Sequence, residues 1–273
     1  MREFQKIEVA DISVDYTVFG MGCSEQMKSS CHDCYELIYV TQGNGKCSVE
    51  SKTVALISGM LVLCRPLEYH GFSLGGVQGA ARYVIKFPAS ALSESNLALL
   101  DRILGDASGV YYSSFLQEVG ISAVFEKMRL ASTLPESERE AFITALLIEL
   151  IILLSATPCE KIVNTDDTLV PRVIRYINSN IHSDLRLDAI SGQFFVNKCY
   201  LCRAFKQYSG ISIHTYINQK RVLYAKLLIE SGEVASRAAE KVGFGDYSAF
   251  YRAYVKYLGV PPTAHQPKRG GAL

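Results

Sequence analysis

The chain has no apolar stretch long enough to cross a bilayer. Its most apolar run, residues 141–156 (AFITALLIELIILLSA), contains Glu149 and falls short of the roughly 20 residues that a membrane helix needs. A buried or interface helix is expected there. The opening segment MREFQKIEVADISV has none of the apolar core of a secretory leader. The eight cysteines are scattered, so no disulfide framework is indicated, and reduced thiols in a cytoplasmic protein are expected. Net charge is nearly absent too, at +1, but that figure is a cancellation. Residues 168–273 hold 15 Lys and Arg against 6 Asp and Glu, which leaves 13 against 21 for residues 1–167. The balances are +9 and −8. A basic module with an anionic partner, joined to an acidic module with another task, is the natural reading, and 273 residues suit two domains.

Residues 4–87 read as short strands. YELIYVTQGNGKCSVES is an apolar run, a Gly-Asn-Gly turn and an alternating run; KTVALISGMLVLCRP and GAARYVIKFP extend the pattern. Many short strands with glycine turns predict an antiparallel barrel or sandwich over 1–92. From 93 to 156 the spacing becomes helical, in ESNLALLDRIL, in SSFLQEVGISAVFEKMRL (113–130) and in the helix opened by PESERE. The helix at 141–154 is expected to be partly core against the barrel, its remainder pairing with a second copy together with the 113–130 helix to make a homodimer; burial entirely within one subunit is the alternative. Residues 157–167, polar and aperiodic, are expected to be a linker. Beyond it, helices are expected at 168–180, 187–194, 198–208, 213–230, 234–241 and 246–257, separated by glycine breaks.

Two segments of the basic half share one design. In LDAISGQFFVNKCYLCRAFKQY, a short helix and a turn lead to Asn197, a natural N-cap. The helix that follows sets Leu201, Ala204, Phe205 and Tyr208 on one face and Lys198, Cys199, Cys202, Arg203 and Lys206 on others. In VASRAAEKVGFGDYSAFYRAYVKYLG, Asp246 is the cap and Phe250, Tyr254 and Tyr257 form the inward stripe. Tyr247, Ser248, Tyr251, Arg252 and Lys256 lie elsewhere. Arg203 and Arg252 follow the turn-closing Val196 and Phe244 by seven and eight residues. Such capped, basic helices suit insertion in a DNA groove, first turns on base edges and flanking charges on phosphates. A bundle with solvated charges explains one such unit equally well; two in the same register favour double-stranded DNA.

The second unit resembles the signature of AraC/XylS-family transcription regulators, matching Ala239, Val242, Gly243, Phe244, Asp246, Ser248, Phe250, Arg252, Lys256, Gly259 and Pro262. The first unit is similar at Leu201, Phe205, Lys206, Gly210, Ser212, Tyr216, Ile217, Arg221, Ala225 and Leu228. Tyr254, Val255 and His265–Gln266 depart from the family pattern. The resemblance covers about the last hundred residues. It implies a DNA-binding domain at 168–273, with Arg203 and Arg252 as base contacts and Lys206 and Lys256 as phosphate or rim contacts. It also implies a cupin-like barrel ahead of it. The fold class expected is therefore α+β multidomain: a cupin-like β-barrel with a helical dimerisation segment, then an all-α domain with two helix-turn-helix motifs.

Metal-binding cupins carry H-x-H-x(3,4)-E-x(6)-G and a later histidine after a proline-rich turn. Here Ser30, His32, Glu36 and Gly43 fall at those spacings, and RPLEYHGF supplies Pro66 and His70. Three readings stand for His32, Glu36 and His70. They hold Zn²⁺ or Fe²⁺, with Cys31 or Cys34 completing the set; they bind a small polar effector without metal, the preferred reading; or they only satisfy one another. Arg65, Tyr69, Tyr35 and Tyr39 are candidate lining residues, although strand parity points Glu36 away from Tyr35 and Tyr39. The Cys31-x-x-Cys34 pair is not expected to be redox-active. The function expected is an effector-responsive regulator, activating transcription with RNA polymerase and needing no cofactor or covalent chemistry. The rival is a metal-dependent cupin enzyme or metal sensor fused to a DNA-binding domain. A repair methyl-acceptor is disfavoured because Cys159 in TPCEKI lacks a following His-Arg.

Overall fold

The computed structural model describes residues 2–105, 107, 109–112, 119–162 and 168–267, with only the backbone of 2, 3 and 25–28. The chain divides into two compact units, Met1–Thr165 and Asp166–Leu273.

In the first unit the strands are β1 (Arg2–Val9), β2 (Ile12–Phe19), β3 (Ser24–Ser30), β4 (Tyr35–Gln42), β5 (Asn44–Val49) and β6 (Lys52–Ile57). Then come β7 (Leu61–Cys64), β8 (His70–Gly75), β9 (Ala80–Phe87), β10 (Val110–Tyr112) and β11 (Glu160–Lys161). Two antiparallel sheets result, ordered β1-β2-β9-β4-β7-β10-β11 and β3-β8-β5-β6. Side chains alternate across a strand, so each strand of the larger sheet serves two layers. Ile38, Val40, Val62, Cys64 and Val84 meet Cys47, Val49, Leu56 and Leu74 of the smaller sheet in one apolar interior. Leu37, Tyr39, Leu61, Leu63, Tyr83 and Ile85 point the other way, into a second core.

That second core is roofed by α1 (Glu94–Leu104), α2 (Ile121–Leu130) and α3 (Glu136–Ala156). Phe125 of α2 anchors it, stacking on Tyr39 at 4.7 Å and tilting against Tyr83 at 5.0 Å. Truncating such a buried ring costs about 3–5 kcal/mol. In α3, Ile143, Leu146, Leu147, Leu150, Ile151 and Leu154 are buried within the subunit, which accounts for most of the apolar run; Ile152 is half exposed. Two expectations change. The helix sought at 113–130 begins at Ile121, and residues 113–118 lie outside the described residues. The linker sought at 157–167 is not free over its first half, because Glu160 and Lys161 pair with Tyr111 and Val110. Ile162 buries itself in the barrel interior. Polar composition hid a two-residue edge strand, too short for any periodicity to register; 163–167 lie outside the described residues.

The second unit is helical: α4 (Leu169–Ser179), α5 (Leu187–Gln193), α6 (Lys198–Ser209), α7 (Ile213–Glu230), α8 (Ala235–Lys241) and α9 (Tyr247–Leu258). In α4, Val170, Val173, Ile174 and Ile177 recur at helical spacing and are buried. The central α7 runs 18 residues, roughly 27 Å at 1.5 Å per residue. Its buried Val222, Ala225 and Ile229 pack against Ala235, Ala238 and Ala239 of α8 and Phe250 and Tyr254 of α9.

Candidate nucleic-acid interface and polar barrel site

The pairs α5–α6 and α8–α9 are built alike. Asn197 Oδ1 accepts from the backbone N–H groups of Cys199 (2.8 Å) and Tyr200 (3.4 Å), opening α6. Asp246 Oδ1 accepts from Ala249 N–H at 2.7 Å, opening α9. Both helices are 12 residues long and end on a left-handed glycine, Gly210 or Gly259. Counted from the first helical residue, Lys198 matches Tyr247, Cys199 matches Ser248, Cys202 matches Tyr251 and Arg203 matches Arg252. All eight are exposed. The inward faces are Leu201 and Phe205 in α6, and Phe250, Ala253 and Tyr254 in α9. The extra residue between Phe244 and Arg252 is Gly245, inserted before the cap.

The intervening turns also correspond. Phe195 N–H bonds Gly192 O and Val196 N–H bonds Ser191 O; Gly243 N–H bonds Glu240 O and Phe244 N–H bonds Ala239 O. Phe195 and Gly243 therefore hold the same left-handed position, at φ +54° and +86°. The second must be glycine, because a Cβ there would sit 2.8 Å from Arg221 Nη2. Arg221 is a buried clamp. It donates through Nε to Ile181 O (2.9 Å), Nη1 to Gly243 O (2.7 Å) and Nη2 to Ser183 O (2.6 Å). It thus ties the turn before α5 to the turn before α9. Between the two pairs opens a cavity of about 840 Å³ lined by Leu187, Cys202, His214, Asn218 and Phe244.

The expected DNA contacts are not equally available. Arg203, Lys206, Arg252 and Lys256 are exposed, with Lys256 lying 5.3 Å from the Tyr257 ring centre. Lys198 instead forms an ion pair with Asp188 of α5, bracing the first pair across its own turn. The sequence pattern set these cations on the outer face of the helix but could not show that one of them has a partner.

The barrel site is assembled by strand register. Ser13, Lys86 and Glu36 form one rung across β2, β9 and β4; Asp15, Val84 and Ile38 the next; Thr17, Arg82 and Val40 the third. All face the interior. Glu36 is almost fully buried, and its Oε2 receives His32 Nε2 at 2.8 Å, His70 Nε2 at 3.1 Å and Lys86 Nζ at 3.2 Å. The ligand atoms of His32, Glu36 and His70 all lie within 4.8 Å of one another. Burial alone would raise the Glu36 carboxyl, but hydrogen bonds from both imidazoles and the charges of His70 and Lys86 drive it far below the usual range. Burial would lower His70, yet the bond to Glu36 raises it. Its Nδ1 also meets the Glu68 carbonyl at 2.8 Å, so both ring nitrogens face acceptors and the protonated ring fits best. Burial raises the Asp15 carboxyl. Arg82, nearly buried, stacks over Phe72 at 4.4 Å. Among the described residues, His32 Nδ1, Asp15 Oδ1 and Thr17 Oγ1 are buried without a hydrogen-bond partner.

His32, Glu36 and His70 therefore converge as their spacing predicted, while Tyr35, Tyr39 and Arg65 do not join them. Tyr35 stacks on Phe87 at 5.4 Å and Tyr39 on Phe125, both on the helix-covered face that strand parity assigns to odd positions of β4. Arg65 reaches out to the Gly105 carbonyl at the end of α1. Sequence reasoning missed Lys86, Arg82 and Asp15. Alternation in ARYVIKF already put Arg82, Val84 and Lys86 on one face; only the register shows that this face is Glu36's.

Comparison with known proteins bears on both units. A model described as an AraC-like ligand binding domain matches residues 24–151, and a helix-turn-helix domain model matches 190–267. The multiple antibiotic resistance protein MarA of Escherichia coli is 32% identical over 104 residues, covering 38% of this chain and 82% of MarA. The Msm operon regulatory protein of Streptococcus mutans is 24% identical over 266 residues, 93% of this chain and 91% of that protein. The regulatory protein PocR of Salmonella typhimurium is 28% identical over 101 residues, 37% of this chain; the chain spans only 33% of PocR. Among the described residues no helix is long and apolar enough to cross a membrane.

Proposed function

Because this chain belongs to the AraC family of transcription regulators, we propose that it binds specific double-stranded DNA through α6 and α9 and answers to a small molecule held in its barrel. The observation that carries the reading is the shared register of the two helices: each is capped, 12 residues long, and presents arginine at its sixth position. Arg203 and Arg252 read base edges in successive major grooves. Lys206 and Lys256 hold phosphates, and Cys199, Cys202, Tyr247, Ser248 and Tyr251 shape the contact. Lys198 contributes mainly by bracing α5.

In the barrel, the unpartnered polar atoms of His32, Asp15 and Thr17 support a hydrogen-bonding effector. Binding there shifts the population of DNA-competent arrangements. The protein acts in the cytoplasm as a homodimer, activates transcription with RNA polymerase, and is not an enzyme. The half-exposed Ile152 on α3 supports a subunit contact on that helix. The test begins with selection of a preferred duplex from a random pool by the full chain. Arg203→Ala and Arg252→Ala should each cost about 1–3 kcal/mol on that duplex and relax specificity at separate positions. Full retention of affinity and specificity by both variants would refute the assignment.

A further inference from the structure

We propose that Lys86 is a built-in cation of the barrel site and that it closes the His32–Glu36–His70 triad to divalent metal ions. The inference stands on the barrel alone and holds whatever the helical unit binds.

Two imidazoles and one carboxylate within 4.8 Å make a donor set that suits Zn²⁺, Co²⁺ or Fe²⁺. The bond from His70 to the Glu68 carbonyl is also the kind of outer contact that orients a ligating imidazole. The obstacle is the fourth group. Lys86 sits opposite Glu36 on the neighbouring strand, on the same face, and its Nζ lies 3.2 Å from the very oxygen that both imidazoles share. A metal held by this triad would take a Glu36 oxygen at about 2 Å, and Oε2 is the oxygen that both imidazoles already face. It would then compete with the ammonium for one acceptor and stand beside a like charge.

Among the described residues of β2, β4 and β9, the acids that face this interior are Glu36 and Asp15; Lys86 and Arg82 offset them, the protonated His70 adds a further cation, and Arg82 is fixed over Phe72. These three strands bring no surplus negative charge to a metal. The site is thus neutralised from within by lysine, and its ligands are molecules that hydrogen-bond rather than cations. Lys86 itself is about one-third exposed and hangs at the rim, so it can be replaced without opening a hole in the core.

The full chain, stripped with chelator, is titrated with Co²⁺, whose visible spectrum reports imidazole and carboxylate ligation, and with Zn²⁺ by calorimetry. The natural chain should not take up one ion per chain at the triad. Lys86→Met, which keeps the stem and removes the charge, should bind one Co²⁺ about ten- to a thousandfold more tightly, the effect expected of one adjacent charge. Lys86→Gln is a second neutral variant in case the first melts early, and Lys86→Arg should stay closed. Adding His32→Ala to Lys86→Met should abolish binding. The proposal is overturned if the natural chain takes up one metal ion per chain that His32→Ala removes. It is equally overturned if folded neutral variants bind no more metal than the natural chain.

Discussion

The barrel and the paired helix-turn-helix units put the same kinds of charged side chain to opposite uses. In the barrel, Glu36 is almost fully buried and three nitrogen groups crowd one of its oxygens. Around α6 and α9, the charges of Arg203, Lys206, Arg252 and Lys256 stand in solvent. A buried charge must be compensated by its own fold, so the barrel cluster is structural whatever it binds. An exposed cation on a capped helix adds little to stability and leaves its charge for a partner. Arg221 marks the boundary between these uses, being a cation of the basic unit spent wholly on three carbonyls.

This contrast can be broken at several points. The largest effect is expected from Glu36→Gln, which leaves the cations around it without their shared partner. It should destabilise the first unit by about 3–5 kcal/mol, read as an early melting transition, while the second unit melts as before. Arg221→Met should cost the second unit about 3 kcal/mol by orphaning buried carbonyls; it should also weaken DNA binding without touching a DNA-facing side chain. Loss of DNA binding with an unchanged melt would mean that Arg221 contacts DNA directly. Smaller and symmetric losses, about 1 kcal/mol each, are expected from the cap variants Asn197→Ala and Asp246→Ala, measured by denaturant unfolding.

The smallest effect is on pH. The raised His70 contributes stability that is fully present below its ordinary value of 6.5 and is lost as pH rises through its folded-state value. The depressed Glu36 contributes above its ordinary value of 4.5 and loses that contribution only as pH falls toward its low folded value. The first unit should therefore be most stable between about pH 4.5 and 6.5 and melt earlier as pH rises past neutral. Glu36→Gln should flatten that slope; an unchanged slope would place the titrating group elsewhere.

The two units also differed in how far the sequence exposed them. In the helical unit the ends of α6 and α9 were readable to within a residue, because local chemistry sets them: Asn197 and Asp246 open the helices and Gly210 and Gly259 close them. The barrel site was half readable. His32, Glu36 and His70 announced themselves by spacing, but Lys86 joins them only through the pairing of β9 with β4, a contact between residues fifty positions apart. Tyr35 and Tyr39 illustrate the same limit. Their place on β4 was clear, but which face the helices cover is decided by α2 and α3, far along the chain. The strand at Glu160–Lys161 was invisible because two polar residues carry no period.

If two equivalent helices read one face of a duplex together, methylation interference on the selected duplex, probing guanine N7 in the major groove with the full chain bound, should show it. Two patches of interference are expected about one helical turn, 10–10.5 base pairs, apart on the same face. Arg203→Ala should erase one patch and Arg252→Ala the other. A single patch, or two patches that both survive either substitution, would contradict it.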